Sequence, residues 1–135
     1  MKLIPYIMYA GNAEDALNFY KDILGGEIKG IQRYGETPMP SADNYKDKIM
    51  HSTFEFDDNV IMVSDSMPGN ETTKGSNVHL SLDVKDTAKM DEVFNKLADG
   101  GKVSMPLQDT FWGARFGMLT DKFGINWMFN CELNK

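Results

Sequence analysis

The chain has 135 residues, 41% of them hydrophobic, which is enough for one core and too few for two independent enzyme domains. Scaling of surface with size leaves roughly 7,000 Å² exposed of about 22,000 Å² in the unfolded chain, so such a protein folds without disulfides or structural metal. Fourteen Lys and Arg against twenty Asp and Glu give a net charge of −6, which excludes nucleic acid and an anionic membrane surface as expected partners.

Cys131 is the sole cysteine, so an internal disulfide, a four-cysteine zinc site and Cys-x-x-Cys chemistry are all excluded. A reducing, cytoplasmic compartment is the expectation. Lys2 and the uncharged run to Ala10 imitate a short signal peptide, yet no Ala-x-Ala pattern closes the run. No apolar stretch approaches the ~20 residues that cross a bilayer.

In chain order, the apolar segment from Leu3 to Tyr9 reads as a strand by its length and its Pro5. A helix follows from the cap residue Asn12, with Ala13, Ala16, Leu17, Tyr20, Ile23 and Leu24 on one face and Asp15 as a weak capping-box partner. Gly25-Gly26 ends it. Three strands are expected next, over Glu27 to Tyr34, Met50 to Phe56 and Val60 to Asp65, the last two joined by a hairpin at Asp57-Asp58-Asn59. A long loop from Gly35 to Lys48 lies between the first and second of these.

Met67 to Ser76 reads as a linker, after which the same order returns. Val78, Leu80 and Leu82 alternate with His79, Ser81 and Asp83 as a half-buried strand does. Asp86 caps a second helix with Met90, Val93, Phe94, Leu97 and Ala98 on its apolar stripe, and Gly100-Gly101 stops it. Strands over Lys102 to Met105, Ala114 to Thr120 and Ile125 to Cys131 complete the chain. The parse is α+β: one domain over residues 1–135, made of two βαβββ modules at about 1–66 and 76–135.

That order, with Gly11-Asn12-Ala13-Glu14-Asp15-Ala16, Leu24-Gly25-Gly26, Arg33-Tyr34-Gly35, Pro38-Met39-Pro40, Gly100-Gly101-Lys102-Val103, Met105-Pro106-Leu107-Gln108, Thr110-Phe111-Trp112-Gly113-Ala114 and Asp121-Lys122-Phe123-Gly124, resembles the PhnB-like branch of the vicinal oxygen chelate superfamily. The superfamily includes glyoxalases, extradiol dioxygenases and the fosfomycin and bleomycin resistance proteins. The resemblance implies a glyoxalase/dioxygenase-type pair of half-barrels, a cavity facing away from the helices, and homodimerisation. In the superfamily's metal enzymes, four ligand places on the first and last strands of each module hold a divalent Lewis acid.

Strand parity assigns those places here. With Ile4, Tyr6 and Met8 under the helix, Pro5, Ile7 and Tyr9 face the cavity, and the four places fall on Pro5, Met62, Asn77 and Met128. Pro and Met are poor ligands for a hard or borderline ion and an amide oxygen is a weak one, so no metal and no other cofactor is expected. His51, Glu55 and His79 have the residue types of an alternative metal or acid/base set, the basis of a second reading as a metal-dependent lyase, isomerase or dioxygenase.

Arg115, with Arg33, offers a guanidinium fork to an anion, or else pairs with one of the chain's acids. Among ten methionines, Met39, Met50, Met62, Met118 and Met128 fall in or near cavity-forming segments, with Met50 and Met118 read as core filling. Tyr9, Phe111 and Trp112 are candidates to stack on a flat ligand. Branch members are sometimes labelled methyltransferases, but both glycine pairs follow helices instead of opening them, and no Gly-x-Ser-x-Gly elbow occurs. The expected function is small-molecule binding in a Met-lined cavity, of unassigned reaction, with antibiotic sequestration as a third reading.

Overall fold

The computed structural model describes residues 1–38 and 43–133. They form two compact units, Met1–Thr73 and Lys74–Lys135. The first runs β1 (Tyr6–Tyr9), α1 (Ala13–Leu24), β2 (Glu27–Arg33), β3 (Ile49–Phe56) and β4 (Asn59–Asp65), with short 3₁₀ turns at Tyr34–Glu36 and Asp43–Tyr45. The second runs β5 (Leu80–Asp83), α2 (Thr87–Ala98), β6 (Lys102–Asp109), β7 (Ala114–Thr120) and β8 (Asn126–Glu132). Each is a βαβββ module with a four-stranded sheet, ordered β1-β4-β3-β2 and β5-β8-β7-β6. The first and last strands of each module pair in parallel and the rest antiparallel.

One face of each sheet carries the core. Ala16, Leu17 and Tyr20 of α1 are buried with Phe54, Ile61 and Val63 beneath them, and Met90, Phe94 and Leu97 of α2 with Leu119, Trp127 and Phe129. Phe94 meets Phe129 edge-on, with ring centroids 5.1 Å apart. Gly117 makes this approach possible, since a Cβ there would press on the Phe94 ring and the Leu107 side chain. The β3–β4 hairpin turns through Asp57 and Asp58, both at positive φ (45° and 64°), a backbone that suits the right-handed strand twist.

Asp86 caps α2, its carboxylate accepting from the Lys89 amide at 3.1 Å. Asn12 sits at the start of α1 but makes no side-chain cap bond. The buried carboxylate of Asp65, at the end of β4, takes that role by accepting from the Ala13 amide at 2.9 Å. Its second oxygen accepts from the Ile49 amide, also at 2.9 Å, so one side chain ties α1, β3 and β4 together. The Tyr34 hydroxyl donates to the Asp65 carbonyl and the Tyr45 hydroxyl to the Ser66 carbonyl, pinning the 3₁₀ turns to the same point.

Two strands differ from their sequence-based bounds. β5 starts at Leu80 because the Asn126 amide takes the Val78 carbonyl at 3.1 Å, and Val78 is left exposed. β6 runs on through Pro106 to Asp109, which is tolerated because β6 is an edge strand paired only with β7.

Asp65→Ala strips the acceptor from two amides that charge-assisted bonds now satisfy. It is expected to lower the free energy of unfolding by about 3 kcal/mol in urea titration, and an unchanged midpoint would contradict the anchoring role.

Candidate functional site: the sheet faces away from the helices

One face of each sheet is closed by its helix, and the other, here termed the far face, is the candidate site. In the first module, Met62 lies opposite Thr53 on β3 and beside Tyr6 on β1, and all three share that face. His51 and Glu55 flank Thr53 at two-residue steps and point the same way. Tyr6 Oη lies 3.3 Å from His51 Nδ1, its ring reaching across β4. Glu55 accepts from Lys29 Nζ at 3.0 Å, and this hydrogen bond, ahead of the charge of Glu55, raises the Lys29 ammonium above its ordinary value.

β1 runs opposite to the sequence-based parity. Ile7 aligns with Val63 and Tyr9 with Asp65, so these residues lie under α1, where the Tyr9 hydroxyl donates to Tyr20 Oη at 3.0 Å. Tyr6 and Met8 therefore take the far face, and Pro5 alternates with Tyr6 onto the helix side. The expectation that Pro5 and Tyr9 line a cavity on the far face is corrected accordingly. Every residue from Ile4 to Tyr9 is apolar or aromatic, which gives hydrophobic alternation nothing to read.

In the second module, Trp127, Phe129 and Cys131 are buried under α2 while Asn126, Met128 and Asn130 take the far face. Cross-strand pairing sets Met105, Met118, Met128 and Ser81 in one row, and Gln108, Phe116, Asn130 and Asp83 in the next. Met118 is thus not core filling. His79 precedes β5 and continues the side of Ser81, whereas Asn77 is exposed and lies outside the strand. Trp112, half exposed in the β6–β7 turn, meets the Phe116 ring at 5.9 Å and the exposed Phe111 ring at 5.1 Å. Met50 is half-buried, and Met39 falls outside the described residues.

The arginines do not form an anion site. Arg115 pairs with Cys131 across the sheet, which places it on the helix side, where Nε donates to Asp91 of α2 at 3.2 Å and Nη1 to Asp109 at 3.4 Å. Arg33 grips Glu14 of α1 with both nitrogens, at 3.0 and 2.8 Å, and also donates to the Asp47 carbonyl. Parity on β7 carried this signal, because Arg115 alternates with Gly117 and Leu119 against Phe116 and Met118.

Among the described residues, no three His, Cys, Asp or Glu side chains are grouped so as to hold a metal ion. His51 and Glu55 lie in the first unit and His79 in the second. His51 is engaged with Tyr6 and Glu55 with Lys29. A groove of about 440 Å³ at the β3–β4 hairpin end, between Glu27, Lys29, Glu55, Asp57 and Asp58, is charged throughout much of its rim.

A family model described as 3-demethylubiquinone-9 3-methyltransferase matches residues 1–129. The chain belongs to that PhnB-like family. Escherichia coli protein YjdN is 35% identical over 96% of this chain and 95% of its own length. Protein PA1353 from Pseudomonas aeruginosa is 41% identical with a TM-score of 0.89, covering 98% of each chain. A Bacillus cereus protein described as a putative 3-demethylubiquinone-9 3-methyltransferase, PhnB protein, is 30% identical with a TM-score of 0.84, over 97% of this chain and 99% of that one.

The PhnB-like fold extends to the fosfomycin resistance protein FosX of Listeria monocytogenes, 11% identical with a TM-score of 0.69 over 98% of this chain and 92% of that one. This likeness is one of fold. Among the described residues, no helix is long and apolar enough to cross a membrane.

The Arg33 hydrogen bond holds the Glu14 carboxyl below its ordinary value of 4.5. A depressed carboxyl stabilises the fold above its unfolded value, and the contribution is lost as pH falls through the folded one. Wild type should therefore lose more stability on acidification than Glu14→Gln, measured as urea midpoints across the carboxylate range. Because the pair is largely solvent-exposed, the difference is expected to be a fraction of 1 kcal/mol, and identical profiles would contradict the pairing.

Proposed function

We propose that this PhnB-like protein binds a small, largely apolar molecule on the far faces of its sheets, without a metal ion or other cofactor. The observation that carries this reading is the identity of the side chains there. Met62 and Met8 in the first module, and Met105, Met118, Met128 and Phe116 in the second, form soft, adaptable surfaces bordered by Thr53, Ser81 and Asn130 as hydrogen-bonding groups. Pliable thioethers suit ligand contact better than the capture of a hard cation. The two modules act together as one domain, in the cytoplasm, as a homodimer.

The family description names a methyl transfer, and the fold offers it little. Gly25-Gly26 and Gly100-Gly101 close helices: Gly25 and Gly100 stand at positive φ, and a Cβ at Gly26 or Gly101 would run into the Glu55 or Thr120 carbonyl. The far faces are read as a binding surface whose reaction, if any, is unassigned.

A thermal-shift screen of small aromatic and aliphatic compounds, run with and without a strong chelator and paired with elemental mass spectrometry, tests the proposal. Stabilising compounds should keep their effect in chelator, with metal at background. Near-stoichiometric metal, or stabilisation that vanishes on chelation, would overturn the metal-free reading.

A further inference from the structure

The contact between Tyr6 and His51 says more about the ligand than the methionines do. A phenol O–H is a better donor than imidazole N–H, and an imidazole nitrogen a better acceptor than phenol oxygen, so the 3.3 Å contact is read as Tyr6 Oη–H donating to His51 Nδ1. A neutral ring whose Nδ1 accepts must carry its proton on Nε2. The hydroxyl thereby selects one tautomer, and His51 makes no second hydrogen bond among the described residues.

The surroundings define what such a donor meets. His51 stands beside Thr53 on the far face, with Gln32 across on β2 and Met62 one row along on β4. Lys29, opposite the neighbouring Thr53, pairs with both Glu55 and Glu27. A neutral N–H beside thioether and hydroxyl groups offers one hydrogen bond to an oxygen acceptor, and the acids Glu27 and Glu55, sharing a single lysine nearby, disfavour an anionic one.

We propose that Tyr6 locks His51 in the Nε2–H tautomer, and that His51 then binds the carbonyl oxygen of an uncharged, mostly apolar small molecule on the first module's far face. Tyr6 is a positioning residue in this arrangement, and His51 is the group that touches ligand. The inference rests on the binding reading above and names the ligand class at one place within it.

The full chain labelled with ¹⁵N-histidine is examined by long-range ¹H–¹⁵N correlation, with His79 as internal reference. Wild-type His51 should show a protonated Nε2 and an accepting Nδ1, and Tyr6→Phe should shift Nδ1 and mix the tautomers. Acetophenone serves as the carbonyl probe and α-methylstyrene, with CH₂ in place of oxygen, as its control. Acetophenone alone should move the His51 Nε2 signal, and His51→Phe should weaken its binding about fivefold, the value of one neutral hydrogen bond.

An Nδ1–H tautomer in wild type, indifference to Tyr6→Phe, or equal effects of the two probes on His51 would each overturn the proposal. If the probes shift Met62 and Met128 but leave His51 unmoved, the carbonyl site falls and the binding reading stands. If neither probe moves any far-face signal, both fall together.

Discussion

The buried carboxylate of Asp65 is the constraint on which the first module depends. Its two oxygens satisfy the opening amide of α1 and the opening amide of β3, while its own strand, β4, pairs with both β1 and β3. Helix, sheet edge and sheet centre thus meet at one side chain, and α1 has a single way to lie on the sheet. The second module solves the same problem at a different place. The Asp121 carboxylate accepts from the Phe123 and Ile125 amides and from the Trp127 indole, holding the β7–β8 turn and the largest core side chain. In both modules a buried acid is held by N–H donors, from helix and strand at Asp65 and from the turn and β8 at Asp121.

Once the covered face is fixed, the division of labour follows. Charged groups that look available in the sequence are spent on the helix side or near it: Arg33 on Glu14, Arg115 on Asp91 and Asp109. Both arginines clamp a helix to a strand, a further duplicated device. The far faces then differ between the copies. The first carries Tyr6, His51 and the Lys29–Glu55 ion pair, and the second carries methionines, Phe116 and side-chain amides. A duplicated scaffold with divergent far faces is the pattern of a fold whose core is held constant while its ligand surface varies.

Most of the architecture was legible in the sequence, because both helices carry a strong 3.6-residue period and a glycine stop. The faces of β4 and β8 were legible for the same kind of reason, since Ile61 and Val63, and Trp127 and Phe129, alternate with less apolar or more polar neighbours. β1 was not, because six consecutive apolar or aromatic residues give parity no purchase, and only the pairing of Tyr6 with Met62 decides it. Tyr6 was lost from the candidate site by that one-residue phase error. Asn126 and Asn130 could have been found from the alternation of β8. The partners of Arg115 were harder to find, since Asp91 and Asp109 are distant in sequence and one acid among twenty carries no mark.

The ten methionines make the most direct measurement possible, because they report from both sides of the sheets at once. With ¹³C-methyl methionine in the full chain, titration of a compound that stabilises the protein should move the methyl signals of Met62, Met118 and Met128 and leave that of Met90, fully buried under α2, in place. Movement confined to Met90, or to methionines off the far faces, would contradict the assignment of ligand binding to the sheet faces away from the helices.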